Sequence, residues 1–150
     1  MAGNNDPIYS RVGALGTPLA ITAANTSSQG GGTIGTDIFN IFTADATNGS
    51  FVREVRFSAT ASVAGTSTTA TVARVFLSTQ STGATTSANT HLFCEIVTGS
   101  QSADSSSGMT YPIMCILNLA LPPGFSILVT QHAAPATNTS WKAMAVGGNY

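Results

Sequence analysis

Two histidines, His91 and His132, are candidate catalytic residues, because an imidazole is the usual general base of a hydrolytic triad. Such a triad also needs a nucleophile and an orienting acid. Neither histidine lies near a nucleophile motif such as G-x-S-x-G. His91 opens a predicted strand after a Ser/Thr-rich loop, and His132 closes another. We therefore expect both imidazoles in water at the rim of a sheet, rather than in a catalytic centre.

The six carboxylates are also weak candidates for catalysis. Glu54 and Glu95 could form a glycosidase pair, because that chemistry needs only a set separation of two acids in space. The chain, however, is only 7% aromatic, and aromatic side chains generally line carbohydrate clefts. We instead expect both glutamates to pair with the strand arginines Arg53, Arg56 or Arg74, across neighbouring strands or across a subunit contact.

The string GGGTIG, Gly30 to Gly35, matches the G-x-G-x-x-G pattern that holds a pyrophosphate at a helix N-terminus. That site needs a helix after the glycines, whereas the following TDIFNIFT has the composition of a strand. The sequence therefore predicts a flexible glycine loop and no cofactor.

The two cysteines, Cys94 and Cys115, lie in predicted strands and not in C-x-x-C or Cys/His spacing. We expect small buried hydrophobic residues, rather than a disulfide or reactive thiolates. The acidic segments DSSSG and TADATN offer one carboxylate each, which is too few for a calcium site. No metal site is predicted.

Composition limits the remaining classes of function. Charged residues make up 7% of the 150 residues, against about 25% in an average soluble protein, and the formal net charge is -1. So little charge repulsion favours assembly with other chains. The five basic residues are scattered, which argues against nucleic-acid binding. The chain starts without a secretion signal and contains no apolar run of about 18 residues, so we expect no membrane segment and synthesis in the cytoplasm.

Short runs of β-branched and aromatic residues, separated by Gly, Pro, Asn and Ser, predict an all-β domain. We expect an antiparallel β-sandwich, jelly-roll-like, with an immunoglobulin-like sandwich as the alternative. The single domain covers residues 12–150 and follows an extended N-terminal arm, residues 1–11. The eight predicted strands are 12–23, 37–43, 51–61, 69–79, 91–98, 109–119, 125–132 and 140–146. The LPPG segment is predicted to be a corner between two of them.

One predicted strand, MTYPIMCILNLA, is apolar on both faces. Cys115 and Leu117 lie on one face, and Met114 and Ile116 on the other. Since one face of an antiparallel sandwich normally meets water, a second cover is expected here. That cover is either another subunit or a loop of the same chain.

Further interface candidates lie near the ends of the chain. The arm carries Pro7, Ile8 and Tyr9, an apolar tip that would gain by docking on a neighbour. Trp141 is the sole tryptophan and is as plausible in the core as at an interface. Tyr150 ends the chain after a Gly-Gly hinge and could anchor in a pocket.

Four segments together resemble a group of small virion proteins of tailed bacteriophages: NNDPIYSRVG, FTADATNGSFVREVRF, LALPPGFSILV and AVGGNY. The resemblance implies a capsid decoration (cement) protein on the capsid surface, which binds the major capsid protein and bridges its subunits. It implies no catalytic residues. Self-association is also expected, with a trimer favoured over a dimer. The alternatives are a tail-fibre domain that binds a receptor or glycan, and a hydrolase of the cell envelope.

Overall fold

The computed structural model describes residues 12–102 and 112–150, and strands form all the regular secondary structure there. Each of the eight predicted strands overlaps an observed one, and an all-β fold is confirmed. The strands in chain order are β1 (Val12–Leu15), β2 (Leu19–Ile21), β3 (Gly32–Thr33), β4 (Phe39–Thr43), β5 (Ser50–Ala61), β6 (Thr71–Ser78), β7 (Ala84–Thr85), β8 (Thr90–Thr98), β9 (Ile113–Leu121), β10 (Ser126–Gln131) and β11 (Thr139–Asn149).

Two antiparallel sheets pack face to face around one core. Sheet I has the order β1-β11-β5-β9, with β2 pairing the same edge of β11 as β1 does. Sheet II has the order β4-β10-β6-β8, and β3 and β7 form a separate small sheet. The expected antiparallel β-sandwich is therefore confirmed.

The strand pairing is nested along the chain. β1 and β2 pair with β11, β4 with β10, β5 with β9, and β6 with β8. This is the pattern of one long hairpin wrapped into two sheets. It favours the jelly-roll-like form of the prediction over the immunoglobulin-like alternative, in which the first two strands pair with each other.

The core consists of the inward-facing side chains of both sheets. Val55, Phe57 and Trp141 of sheet I meet Val75 and Val129 of sheet II in a single buried cluster. Trp141 is only 2% exposed, so the interface role considered for it is wrong. Its indole fills the core, where a large side chain removes the most apolar surface from water.

The Pro-Pro-Gly segment is the predicted corner. It follows β9 of sheet I and precedes β10 of sheet II, so the chain changes sheet within four residues. Gly124 has a φ of 75°, and Phe125 N donates to Pro122 O at 3.2 Å. The turn thus needs the positive φ that glycine adopts without strain.

Two glycine segments behave differently from the prediction. The first predicted strand breaks after Leu15, and at the next residue, Gly16, a Cβ would lie 2.1 Å from Ile41 O. The expected Gly-Gly hinge is wrong, since Gly147 and Gly148 lie inside β11. There a Cβ on Gly147 would lie 2.1 Å from Phe51 O. Gly16 and Gly147 thus allow close approach of two backbones and do not act as flexible joints.

The loop between β2 and β4 covers the outer face of sheet II. Ile38 packs there on Phe76 and Leu128 in a second buried cluster. Asn25 fixes the loop: its Nδ2 donates to Gly31 O and to Asp37 Oδ2, both at 3.1 Å. The expected flexible glycine loop is therefore wrong, because GGGTIG forms part of this hydrogen-bonded cover.

Candidate interaction surface

The outer face of sheet I, which points away from sheet II, exposes large apolar side chains. Leu15, Met114 and Ile116 are 70%, 50% and 55% exposed, and Met144 and Val146 beside them are half-buried. We call these five residues the apolar patch. Contiguous exposed apolar surface on a soluble domain usually marks an interaction site.

The strand register places the apolar patch on β1, β11 and β9, on both sides of the central strand β5. Leu15 lies opposite Val146, while Met144 and Met114 flank the same position on β5 from β11 and β9. Directly opposed residues have Cβ atoms about 4.5–5.5 Å apart, so Leu15 and Val146 are immediate neighbours. Ile116, on β9, lies opposite Glu54, which brings charge into the centre of the patch.

A charged cluster, Arg53–Glu54–Arg56, occupies that centre. Arg53 donates to Glu54 from Nε to Oε2 at 3.2 Å and from Nη2 to Oε1 at 3.1 Å. Arg56 Nε also donates to Glu54 Oε1. Glu54 is 5% exposed, whereas both arginines remain about half exposed. The cluster thus shields its carboxylate and presents guanidinium groups to the outside.

A β-bulge allows this arrangement. Arg53 is the extra residue of β5 against β11, because Val146 lies opposite Glu54 while the next residue, Gly147, lies opposite Val52. On the β9 side, two residues, Leu117 and Asn118, fall opposite Arg53. Bulges redirect side chains in this way. The predicted pairing of Glu54 with arginines is confirmed, although the partners lie on its own strand and not on a neighbouring one.

The cluster makes stability depend on pH. Hydrogen bonds from Arg53, then from Arg56, lower the pKa of Glu54 from its ordinary value of 4.5. A depressed folded-state pKa stabilises the fold above the unfolded pKa, and this contribution is lost as the pH falls through the folded pKa. We expect Glu54→Gln to lower the free energy of unfolding at pH 7 and to flatten its decline under acid, measured by urea unfolding between pH 7 and 3.

Asp45→Asn provides the control for that measurement. Backbone N–H groups of Asn48 and Thr47 lower the pKa of Asp45. The stability that Asp45 contributes is therefore also lost as the pH falls. In Asp45→Asn, Glu54 is still present, so its contribution to the fall in the free energy of unfolding between pH 7 and 3 should remain. An unchanged pH dependence in Glu54→Gln would contradict the role given to the cluster.

A depression of about 330 Å³ lies beside the charged cluster on the same face. Its walls carry the cations Arg56 and Lys142 and the hydroxyl of Ser58. Lys142, on β11, lies opposite Ser58 of β5. Ser58 in turn is two residues from Arg56 along β5. Pro18, Pro112, Ala143 and Met144 complete the lining. The depression therefore joins positive charge to an apolar rim.

The sequence predicted a cover over the outer face of β9, either another subunit or a loop of the same chain. Met114 and Ile116 do point away from the core, as predicted, and half of each side chain stays exposed. No part of the described chain buries them. Within the described residues, the loop that covers a sheet lies on sheet II instead. Four further members of this surface were not predicted from the sequence: Leu15, Met144, Val146 and Lys142.

The histidines do not join a carboxylate within the described residues. His132 Nδ1 lies 3.3 Å from Arg74 Nη2, and Arg74 Nε donates to Glu95 Oε1 at 2.6 Å. A buried guanidinium thus separates the imidazole from the acid. Arg74 also donates to Asn25 O at 3.1 Å and so helps hold the loop over sheet II. The predicted pairing of Glu95 with a strand arginine is confirmed, here across β6 and β8.

His91 lies in water at the edge of a strand, and Cys94 and Cys115 are unpaired strand residues, as predicted. His91 is exposed at the start of β8. Cys94 and Cys115 are free and pack against the main core. Burial, with a smaller effect of the neighbouring Cys94 thiol, raises the pKa of Cys115 to about 12. Cys115 is therefore a protonated thiol at neutral pH and a poor nucleophile.

The candidates at the chain ends have different outcomes. Pro7, Ile8 and Tyr9, with the whole arm, lie outside the described residues. Tyr150 is half-buried, and its backbone N donates to Gly49 O at 3.4 Å. Its backbone is therefore tied to the turn before β5.

Two further findings concern metals and membranes. Within 12–102 and 112–150, no three or more His, Cys, Asp or Glu side chains are grouped so that they could hold a metal ion. Over the same ranges, the chain forms no helix with the length and apolar character needed to cross a bilayer.

Comparison of the chain with protein-family models, with curated proteins and with solved structures found no match.

Proposed function

We propose that this chain is a non-enzymatic structural protein of a bacteriophage virion, which decorates the capsid and stabilises it by bridging major capsid protein subunits. The resemblance of its four segments to virion proteins suggests the setting. One structural observation carries the proposal: the outer face of sheet I exposes an apolar patch with a charged cluster at its centre.

The composition of this face suits a binding surface. Ile116 and Met114 supply apolar area, and removing such area from water contributes about 25 cal/mol per Å². Arg53 and Arg56 supply directional polar contacts, and arginine is enriched at interfaces. The patch lies on hydrogen-bonded strands and not on loops, so its side chains are already positioned before binding. Binding then loses less conformational entropy.

Several copies of this contact, repeated around the capsid, would bridge its subunits. A homo-oligomer, with a trimer favoured, would present several copies of the outer face of sheet I to adjoining capsid subunits. Once one copy is bound, the others act at a high effective concentration, so weak contacts add to firm attachment. Capsid subunits held across their joints then resist separation under internal pressure.

The alternatives make different demands on the structure. A cell-envelope hydrolase needs a histidine beside a carboxylate, whereas Arg74 separates His132 from Glu95. A tail-fibre domain would recognise its receptor or glycan through the Ser/Thr/Gly loops and would leave sheet I free.

A cryo-electron microscopy reconstruction of the virion tests the proposal. We expect density for this chain at many equivalent positions on the outside of the capsid, spanning joints between major capsid subunits. Density confined to a few copies at a tail fibre would overturn the proposal and favour the receptor-binding alternative.

A further inference from the structure

The charges on the outer face of sheet I restrict what can cover it. Among the described residues, three cations lie there, Arg53, Arg56 and Lys142, with one carboxylate, Glu54. Three positive charges less one negative charge leave this face with a net charge of +2, although the whole chain has a formal net charge of -1. The face is thus positive and apolar at once.

Part of this positive charge is unpaired among the described residues. Arg56 contacts Glu54 only through Nε, so both of its terminal nitrogens remain for another acceptor. Lys142 is exposed and has no carboxylate partner there. A purely apolar partner would bury these cations without compensation, which is costly. A partner that supplies a carboxylate removes that cost and gains charge-assisted hydrogen bonds.

The depression beside the cluster provides the place for such a group. Its volume of about 330 Å³ exceeds the 30 Å³ or so of one water by an order of magnitude, so a carboxylate side chain fits. Arg56 and Lys142 approach the depression from β5 and β11, and Ser58 adds a hydroxyl donor. The rim of Pro18, Pro112 and Met144 would contact the apolar part of the incoming segment.

A second copy of the same face is excluded by its charge. Pairing two such faces about a two-fold axis would bring a net charge of +2 against a net charge of +2. Like charges brought together at an interface cost several kcal/mol. The occupant must therefore be a chemically different surface.

We propose that the occupant is a segment of the capsid subunit that bears an aspartate or glutamate flanked by apolar residues. Its carboxylate lies between Arg56, Ser58 and Lys142, and its apolar residues cover Ile116, Met114 and Met144. This inference rests on the proposed function and adds the chemistry of the partner to it.

The test compares charge reversal with loss of apolar surface. The purified full chain is titrated onto capsid shells from particles produced without it, at low and at physiological salt. We expect Lys142→Glu to weaken binding at least about tenfold at low salt, and to reduce the salt dependence of binding. Lys142→Gln, which removes the charge without reversing it, should give an intermediate loss.

The control matches the change in net charge. Val97→Glu combined with Thr82→Glu also changes the net charge by -2, at exposed positions on β8 of sheet II and in the loop after β6. This variant should bind as the wild type does. Wild-type affinity for Lys142→Glu at low salt would overturn the acidic partner. If Ile116→Ser still abolished binding in that case, the capsid-binding role of the face would stand.

Discussion

Trp141→Ala is expected to lower the free energy of unfolding by about 3–5 kcal/mol, the usual cost of truncating a large aromatic side chain in a core. The indole is 2% exposed and belongs to the cluster that joins both sheets. Urea unfolding followed by far-ultraviolet circular dichroism measures the effect, since fluorescence would be lost with the sole tryptophan.

Two further variants calibrate that result. Trp141→Phe should cost less than Trp141→Ala, because Phe restores ring volume and removes an indole N–H that has no hydrogen-bond partner among the described residues. Met114→Ala, at an exposed position, should change stability by at most about 0.5 kcal/mol. A similarly small change for Trp141→Ala would contradict the core position of the tryptophan.

Ile116→Ser combined with Met114→Ser is expected to weaken binding to capsid shells about a hundredfold or more. Both side chains are half exposed in the apolar patch, beside the charged cluster. Truncation of an important interface residue costs about 2 kcal/mol or more. Occupancy of shells from particles produced without the chain measures the loss. Circular dichroism and urea unfolding establish that the variant remains folded.

Val97→Ser is the matched control for this variant. Val97 is also an apolar residue on an edge strand, 82% exposed, but it lies on β8 of sheet II. It should leave shell binding unchanged. Equal losses in Val97→Ser and the sheet I variant would mean that the apolar patch is not the specific contact.

The strands could be predicted because their residues alternate with the period of a pleated strand, and turn residues separate them. The ends of the strands were less predictable, because a glycine can mark either close packing of two backbones or a flexible hinge. At Gly16 and Gly147 the missing Cβ permits close backbone packing, and nothing in the sequence distinguishes this from a hinge. The loop over sheet II depends on the hydrogen bonds of Asn25, which join residues that the sequence does not show to be neighbours.

The candidate surface could be predicted only where one strand was apolar on both faces. Met114 and Ile116 gave that signal. In β11 the pattern is misleading, because the small residues Ala143 and Ala145 point into the core while the larger Met144 and Val146 point outwards. Larger apolar side chains gain more by burial, so hydropathy alone assigns Met144 and Val146 to the core. The bulge at Arg53 is likewise set by the pairing of three strands, and not by local composition.

The most direct test of the account is a virion reconstruction at a resolution that shows side chains. We expect the outer face of sheet I to lie against the capsid, with Ile116 and Met114 buried and a capsid carboxylate beside Arg56 and Lys142. A reconstruction in which this face points to solvent, while another surface of the chain contacts the shell, would contradict the central claim.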